Sequence, residues 1–447
     1  MNRLFFLKHY PLSKLIFFLF LFFLPQQFGP HFWPSFSYVH GIRLDYLSPT
    51  LYVSTILLII LLLLKGKDVF KTNLKFLKNT KVLIFATCLL LPLIYAYSIP
   101  ALYFGVLKVC MLLFLGLYVS SEVNKKDLPI IIFIFGISAF FESILALGQF
   151  INQGSLNGIF YYAGERNYSA SSLGIAVMNT SSGLLVRPYA TFPHPNVLAY
   201  FLFVASVFLV YVYTNAKQKL AKFLLVFLQV VIQVGLFLTF SRILILLDGA
   251  LFVILFLLYK RTHFKISAVL FGLGLIGFLL YILVFNLRFL NFSNILPDIS
   301  SRNELVPIAL SAVNAYPLGL GLHNFYYYQA GIQTQFTSVY LQPVHNIFLL
   351  LLAESGIVCT LLFVYFLGLT LVKLSKQVKK DKELTLNVIL LAIVLVSIIS
   401  GMFDHYLITI QQGQLLFAII LGLCWNKHLE SRKTSKGLEL ELPAEDR

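Results

Sequence analysis

Arginine is the basic residue of two long stretches between apolar runs, residues 151–195 and 286–345, which contain no lysine. A guanidinium group is flat, permanently charged and forked, so it can hold two phosphate oxygens at once. The arginines of these stretches, with one that lies between them, are Arg166, Arg187, Arg242, Arg288 and Arg302. The pattern suits the binding of a diphosphate.

The same stretches hold histidines and an asparagine that could contact a substrate: His194, His323, His345 and Asn346. Structural roles compete with this interpretation. His194 and Asn196 could shape the start of the next helix, and His323 could pack within its loop. Asn346 is a good helix N-cap, and capping is the favoured role. Arg242 could likewise anchor a helix end, and Arg302 could pair with Glu304.

Composition indicates which elements must position these residues. Hydrophobic residues make up 59% of the 447 residues, charged residues only 12%, and the mean hydropathy is +0.86. A soluble chain carries about a quarter charged residues. Lipid must therefore be the solvent for much of the surface. The net charge of +16 lies mostly in short connectors between apolar runs, which argues against nucleic-acid binding.

Twelve apolar runs approach the roughly twenty residues that a membrane-spanning helix needs. They are residues 12–28, 47–64, 82–98, 101–119, 128–150, 196–213, 223–239, 243–259, 266–285, 346–372, 387–402 and 407–425. The sequence therefore predicts an all-α, polytopic membrane protein. Residues 1–430 would form a single transmembrane domain, followed by a polar tail, residues 431–447.

Lysines predict the orientation of these spans. They fill alternate connectors, at residues 65–81, 125–126, 217–222, 260–265 and 373–382, and from residue 427 onward. Cytoplasmic loops are the ones enriched in lysine and arginine. Both termini are therefore expected in the cytoplasm. The stretches 151–195 and 286–345 become two outward loops.

The second outward loop contains a predicted amphipathic helix. Ser301 and Glu304 fit a capping box before an apolar pattern at residues 305–313. The pattern favours a short helix on the outer membrane surface, bent at Pro307.

Three charged residues fall inside predicted spans: Lys108, Glu142 and Asp248. Isolated charges are costly there and are usually paired. A structural pairing of Lys108 with one of the acids is the favoured interpretation, and a proton relay is the alternative.

Four stretches together resemble the O-antigen ligase and polymerase family. They are Arg187 to Asn196, Leu238 to Arg242, Ser301-Arg302 with its helix and Pro317 to Phe325, and His345-Asn346 with Gly356. Their order, spacing and predicted outward placement carry the resemblance, which spans residues 187–360.

The resemblance implies a glycosyltransferase in the bacterial cytoplasmic membrane. Such an enzyme moves a glycan from an undecaprenyl-diphosphate carrier to an acceptor sugar or lipid-linked acceptor on the outer face. His345 would be the general base, and Arg242 and Arg302 would clamp the diphosphate. Arg187, His194, His323 and Asn346 would contact the substrates. Gly356 would lie on the same helix face as His345 and let another helix pack closely.

No cofactor or metal is expected, because the outward acidic residues are sparse and unpaired: Asp45, Glu165, Asp298, Glu304 and Asp404. A transporter or lipid flippase is the alternative function. It would predict internal repeats, interrupted helices and charges at the bilayer midplane. A structural scaffold without activity fits the ordered arginine and histidine motifs poorly.

Overall fold

A computed structural model describes most of the chain. The described residues are 10–172, 174–180, 183–255, 257–258, 304–332, 341–379 and 384–429. The predicted span 266–285, the tail 431–447, Arg288, Asp298 and Arg302 lie outside them.

The described part is mainly helical. In chain order the helices are α1 (Leu12–Phe22), α2 (Val53–Thr72), α3 (Leu74–Leu77), α4 (Thr80–Leu90), α5 (Ile99–Glu122), α6 (Leu128–Asn152), α7 (Ile159–Tyr162), α8 (Pro195–Asn215), α9 (Lys219–Leu238), α10 (242–255), α11 (Leu305–Ala315), α12 (Phe325–Ile332), α13 (Ile347–Val378), α14 (Leu386–Gly401), α15 (Tyr406–Thr409) and α16 (Gln411–Cys424). The strands form two antiparallel hairpins, β1 (Tyr38–Val39) with β2 (Ile42–Arg43) and β3 (Val177–Thr180) with β4 (Gly183–Val186).

Several of these helices can cross a membrane. Five are long and apolar enough, namely Ile99–Glu122, Lys125–Asn152, Pro195–Asn215, Lys219–Leu238 and Ile347–Val378. Shorter apolar helices occupy four further predicted spans: Leu12–Phe22, Thr80–Ile94, Leu386–Gly401 and Gln411–Cys424. The prediction of a helical, polytopic membrane protein is therefore confirmed, and the count of twelve spans stays a prediction.

Helix α8 forms the centre of the bundle. Its residues are buried without interruption from Pro195 to Tyr211. A helix that is apolar on every side must be surrounded by protein or lipid, and here protein surrounds it. The N-terminus of α8 consequently lies at the middle of one end of the bundle.

Successive helices run between two ends of the bundle. At one end Lys14 contacts Asp127 and the Glu122 carbonyl, and Asn426 donates to the carbonyls of Val119 and Val123. We name this the lysine end, formed by residues 65–81, 119–128, 215–222 and 424–429. The opposite loop end comprises residues 23–52, 151–195, 317–325, 341–346 and 402–410. The lysine-rich connectors that the structure describes thus share one end, as expected, and the connector 260–265 lies outside the described residues.

Helix α13 is broken at Gly356, whose φ of 78° and ψ of 175° are not helical. The loop before α12 replaces the missing helical bonds. Leu320 N–H donates to Ala353 O at 2.9 Å, and Ile357 N–H donates to Pro317 O at 3.0 Å. A Cβ on Gly356 would lie 2.3 Å from the Leu318 carbonyl carbon. The glycine therefore admits a loop, and the prediction that it admits a neighbouring helix on the His345 face is wrong.

Helix α11 confirms the predicted helix of the second outward loop. Its N-cap is Glu304, and Ser301, the predicted cap, lies outside the described residues. Pro307 falls in the first turn, where no intrahelical N–H bond exists to lose, and the helix continues unbroken to Ala315. The predicted bend thus has no cause at this position. One face packs through Ala309 and Ala312 against residues of α12 and α13.

The three predicted intramembrane charges do not pair as expected. Glu142 accepts hydrogen bonds from the backbone N–H and hydroxyl of Thr191, at 3.0 and 2.8 Å. Asp248 lies buried beside Gln233. Lys108 Nζ lies 4.6 Å from the Phe104 ring centroid, and Glu354 is its acidic electrostatic neighbour. Among the described contacts, Lys108 forms no ion pair with Glu142 or Asp248.

Candidate functional site

A cluster of two histidines and an aspartate lies at the loop end. His345 Nδ1 is 3.8 Å from Asp404 Oδ1, and His405 Nε2 is 4.0 Å from the same oxygen. The two imidazole centroids are 4.9 Å apart. Asp404 is thus placed between two imidazole rings. We name these three residues the histidine cluster.

Local structure positions each member of the cluster. His345 directly precedes α13, whose N-cap Asn346 accepts hydrogen bonds from Phe348 N–H and Leu349 N–H. Asp404 and His405 occupy the tight connection between α14 and α15. His405 Nδ1 lies 2.7 Å from the hydroxyl oxygen of Thr409. The cluster therefore forms where two helix ends meet.

A hydrogen-bonded chain links the cluster to the first family motif. Asn196 Nδ2 donates to Asp404 Oδ2 at 2.5 Å, and Arg187 Nη2 donates to Asn196 Oδ1 at 2.6 Å. Arg187 Nε also donates to Thr239 O at 2.8 Å, in the second motif. Arg187 thereby bonds residues of both the first and the second motif, and Asn196 in turn bonds Asp404.

Asp404 is a carboxylate in this environment. Burial alone would raise its pKa, but the imidazoles of His345, His405 and His194 outweigh burial and hold the pKa well below its usual range. A carboxylate beside an imidazole orients the ring and stabilises the imidazolium that forms on proton uptake. The His345 side chain is 20% exposed and that of His405 only 5%, so His345 is the more accessible histidine.

Arg242 lies at the start of α10, directly after a sharp break in the chain. Phe240 takes a left-handed φ of 52°, which separates α9 from α10. The side chain of Arg242 is partly exposed, and the free N–H groups of a helix start favour anions. Arg187 binds the Thr239 carbonyl of this same break. The second proposed clamp residue, Arg302, lies outside the described residues.

His194 and Asn346 both act as helix caps. His194 Nδ1 accepts a hydrogen bond from Asn196 N–H and begins α8. Asn346 Oδ1 caps α13, and its amide group donates to Met402 O at 3.2 Å. The structural roles expected for these residues are therefore present. Their predicted substrate contacts stay predictions.

His323 lies apart from the histidine cluster, in the loop that fills the break in α13. Its φ is 64°, and its ring packs 5.4 Å from the Phe104 ring. Burial and then the charge of Lys108 lower its pKa well below the usual value, so the ring is neutral. The neighbouring Asn324 Oδ1 accepts from Ser98 N–H at 2.7 Å. These contacts favour loop packing over contact with a substrate.

Three ligand atoms of the histidine cluster lie within 4.8 Å of one another, so His345, Asp404 and His405 could hold a metal ion. Within the described ranges this is the one group of three such side chains. Two histidines and one carboxylate form a ligand set that catalytic zinc sites use. The expected metal independence therefore stays a prediction that chelation can test.

A cavity of about 1000 Å³ lies beside the cluster at the loop end. It is lined by the loop between α1 and α2, by the loop between α6 and α8, and by the start of α16. His194 and Thr409 belong to its wall and also neighbour the cluster. The cavity therefore gives a substrate room next to residues that neighbour the cluster.

Sequence reasoning missed Asp404 and His405 as partners of His345, and it gave no role to the loop of residues 23–52. Asp404 was counted only as one sparse acid. The adjacent Asp-His pair at the end of a predicted span could have indicated them. His345 precedes another predicted span at the same end, so the three residues could be expected to lie close together.

Comparison with known proteins supports the family resemblance. Residues 227–364 match the family model described as O-antigen ligase, and no curated protein matches the chain. The matched segment contains Arg242, Gly356 and His345, whereas Arg187 and Asp404 lie outside it. Over this segment, the chain is similar to the O-antigen ligase family.

Proposed function

We propose that the protein transfers a glycan from an undecaprenyl-diphosphate carrier to an acceptor sugar, with His345 as general base. The observation that carries the proposal is the Asp404 carboxylate beside Nδ1 of a partly exposed histidine. Hydrogen bonds between catalytic groups are often long when no substrate is bound. A separation of 3.8 Å between His345 Nδ1 and Asp404 Oδ1 is therefore compatible with this role.

The proposed step moves one proton and exchanges one glycosidic bond. Asp404 faces Nδ1 of His345, which leaves Nε2 to take the proton of the acceptor hydroxyl. The hydroxyl oxygen attacks the anomeric carbon as the bond to the diphosphate oxygen breaks. The bonding electrons leave with the diphosphate, and the negative charge that develops there needs cations.

Arg242 supplies a cation for that charge in the proposal, together with Arg302. A guanidinium offers two parallel N–H donors, which match two phosphate oxygens. The helix start at Arg242 adds free backbone N–H groups. Arg187 holds this turn in place, because it bonds the Thr239 carbonyl and the Asn196 side chain.

The reaction is proposed to occur on the outer face of the bacterial cytoplasmic membrane. The lysine connectors gather at one end, and the histidine cluster lies at the other. Positive-inside bias then puts the loop end outside and both termini inside. A cysteine at Ser155 should react with an impermeant thiol reagent in intact cells, and one at Lys71 should not. The reverse pattern would contradict the orientation.

The broken helix α13 is a feature that transporters share, so the alternative function can be weighed on it. Gly356 lies about 15 Å from the helix start, near the middle of a bilayer. Transporters use the carbonyls freed at such breaks to hold ions. Here the Ala353 and Glu354 carbonyls accept from Leu320 N–H and Gly321 N–H, at 2.9 and 2.8 Å. The break is filled by the chain itself, which favours the transferase.

Consumption of a lipid-linked glycan in proteoliposomes tests the proposal. The purified protein, given the donor and an acceptor, should yield a covalent glycan product and free undecaprenyl diphosphate. A transporter would move the donor across the bilayer without forming a new glycosidic bond. Movement of the donor without product would therefore refute the proposed function.

A further inference from the structure

The cavity at the loop end has a wall that the proposed chemistry does not use. Its lining includes Trp33, Arg43 and Tyr46 from the loop between α1 and α2, and Arg166 from the loop between α6 and α8. The arginines of the proposed chemistry, Arg187 and Arg242, are not among the described lining residues. The cavity therefore suits a part of the substrate other than the diphosphate.

Trp33 packs against two other planar groups on this wall, the guanidinium of Arg43 and the ring of His31. The Arg43 guanidinium carbon lies 4.3 Å from the Trp33 ring centroid. The His31 ring is nearly parallel to Trp33, at 10° and 6.0 Å between centroids. Cation–π contact fixes the plane of the guanidinium and leaves its N–H edge to bind oxygens. Fixed N–H edges and aromatic surfaces are the groups that hold sugar hydroxyls and pyranose rings.

Arg166 adds positive charge to the cavity wall. Its side chain is exposed, it donates to Pro193 O at 3.3 Å, and no described acidic residue forms a salt bridge with it. The adjacent Glu165 does not neutralise it. The Glu165 carboxylate is buried and accepts from Gln149 Nε2, Leu156 N–H and Asn157 N–H, all at 2.7 Å.

Arg43 is only weakly neutralised. Its partner Asp45 lies 3.9 Å away, and both side chains are about 60% exposed. Exposed pairs of this kind contribute roughly 0–1 kcal/mol. Arg43 and Arg166 thus leave the cavity with a surplus of positive charge.

The cavity also adjoins the histidine cluster, on the side of His405. Tyr46 lines the cavity, and its ring lies 5.7 Å from the His405 ring. Thr409 lines it as well and contacts His405 Nδ1. A substrate in this cavity would thus lie beside the histidine cluster, next to His405.

We propose that this cavity binds the acceptor glycan and that Arg43, Arg166 and Trp33 select acidic sugars, which carry a carboxylate or a phosphate. The assignment to the acceptor rests on the proposed function, whereas binding of an acidic glycan does not require catalysis. The two anionic groups share their chemistry, since both accept paired N–H donors from a guanidinium.

The two tryptophans of the chain make the binding measurable. Trp425 lies at the lysine end, where its Nε1 donates to Thr370 Oγ1 at 2.9 Å. Trp425→Phe therefore leaves Trp33 as the single tryptophan of the full chain. Its fluorescence in detergent would be titrated with hexagalacturonate, with maltohexaose 6-phosphate, with neutral maltohexaose and with inorganic phosphate at equal ionic strength.

A saturable change with hexagalacturonate or the phosphorylated sugar, and none with maltohexaose or phosphate, is expected. Comparison of the affinities for the two charged sugars shows whether the cavity prefers a carboxylate or a phosphate. Arg166→Gln should weaken binding by about tenfold or more, the value of a charge-assisted hydrogen bond. Lys67→Gln, a surface change at the lysine end, should leave affinity unchanged.

An equal response to inorganic phosphate would reduce the cavity to an anion site and overturn the sugar assignment. An equal response to maltohexaose would overturn the charge selection. Unchanged affinity in Arg166→Gln, or no response to either acidic sugar, would overturn the proposal entirely. His345→Ala should bind the acidic sugar normally. Binding with no transfer by the wild type would refute the proposed function alone, and transfer with no binding would refute the subsite alone.

Discussion

Two buried aspartates, Asp404 at the loop end and Asp127 at the lysine end, show how similar groups serve different purposes. Asp127 is fully buried beside Lys14, and it also accepts from Asn124 N–H at 2.8 Å. Asp404 lies beside two imidazoles and near a cavity. The Lys14 and Asp127 side chains are enclosed by protein, whereas the imidazole of His345 is partly exposed. The lysine end therefore gives a permanent connection between helices, and the loop end gives a group that can act.

The largest effect is expected from removing the proposed base. His345→Ala should lower turnover by a factor on the order of 10²–10⁴, the usual contribution of general base catalysis. Donor binding should change much less, because the histidine faces the acceptor. Glycan transfer in proteoliposomes measures the turnover. Full activity in a folded, inserted variant would refute the role. Normal turnover with weak donor binding would instead indicate that His345 binds the diphosphate.

At the lysine end, the corresponding change should damage the fold. Lys14→Met leaves Asp127 buried without its partner, which costs about 3–5 kcal/mol of unfolding free energy. Adding Asp127→Asn removes the stranded charge and keeps an acceptor for Asn124, so it should restore part of the stability. Thermal unfolding in detergent measures both. Wild-type stability in Lys14→Met would contradict the proposed structural role of the Lys14–Asp127 pair at the lysine end.

Asp404→Asn should have an intermediate effect. It keeps the shape but removes the charge that stabilises the His345 imidazolium, so turnover should fall roughly 10- to 100-fold. The lowered pKa of Asp404 adds stability that is present above the unfolded value of about 4. The stability gap between wild type and variant should therefore hold at higher pH and close as pH falls below about 4. A gap that widens in acid would contradict the assignment.

Arg242→Lys should show a smaller loss, because the charge stays and the fork is lost. We expect transfer to fall about tenfold, with Arg242→Ala worse, and we expect the same order at Arg302. Arg187→Lys is the matched comparison. Arg187 bonds protein groups, so its loss should lower the unfolding temperature before it changes the KM for the donor. Equal activity of Arg242→Lys and wild type would refute the proposal that Arg242 clamps the diphosphate.

The smallest expected effect is that of a chelator. Protein stripped with EDTA should keep its transfer activity if His345 works as a base without a metal. The histidine cluster makes the test sharp, since its three ligand atoms lie within 4.8 Å of one another. Activity that disappears with EDTA and returns with zinc, magnesium or manganese would replace the base mechanism with metal catalysis.

The sequence alone determined the features that depend on neighbouring residues. Runs of apolar residues predicted the helices, and alternating lysine connectors predicted which ends lie together, as the contacts at Lys14 and Asn426 bear out. Asn346 was predicted as a cap because asparagine favours that position, and its side chain accepts from the N–H groups of Phe348 and Leu349 in the first turn. Local rules hold for such residues because their partners lie within a few positions in the chain.

Only the tertiary structure decided which distant groups meet. Asp404 reaches His345 and Asn196 because the end of α14 and the start of α13 lie beside the start of the buried helix α8. Gly356 could be placed in a helix by its neighbours, yet its break depends on Leu318 and Leu320 arriving from another loop. The cavity also needs the loop of Arg166 in addition to the loop of Trp33. Periodicity reports which face of a helix is apolar, and it contains no information on which polar group from elsewhere will face it.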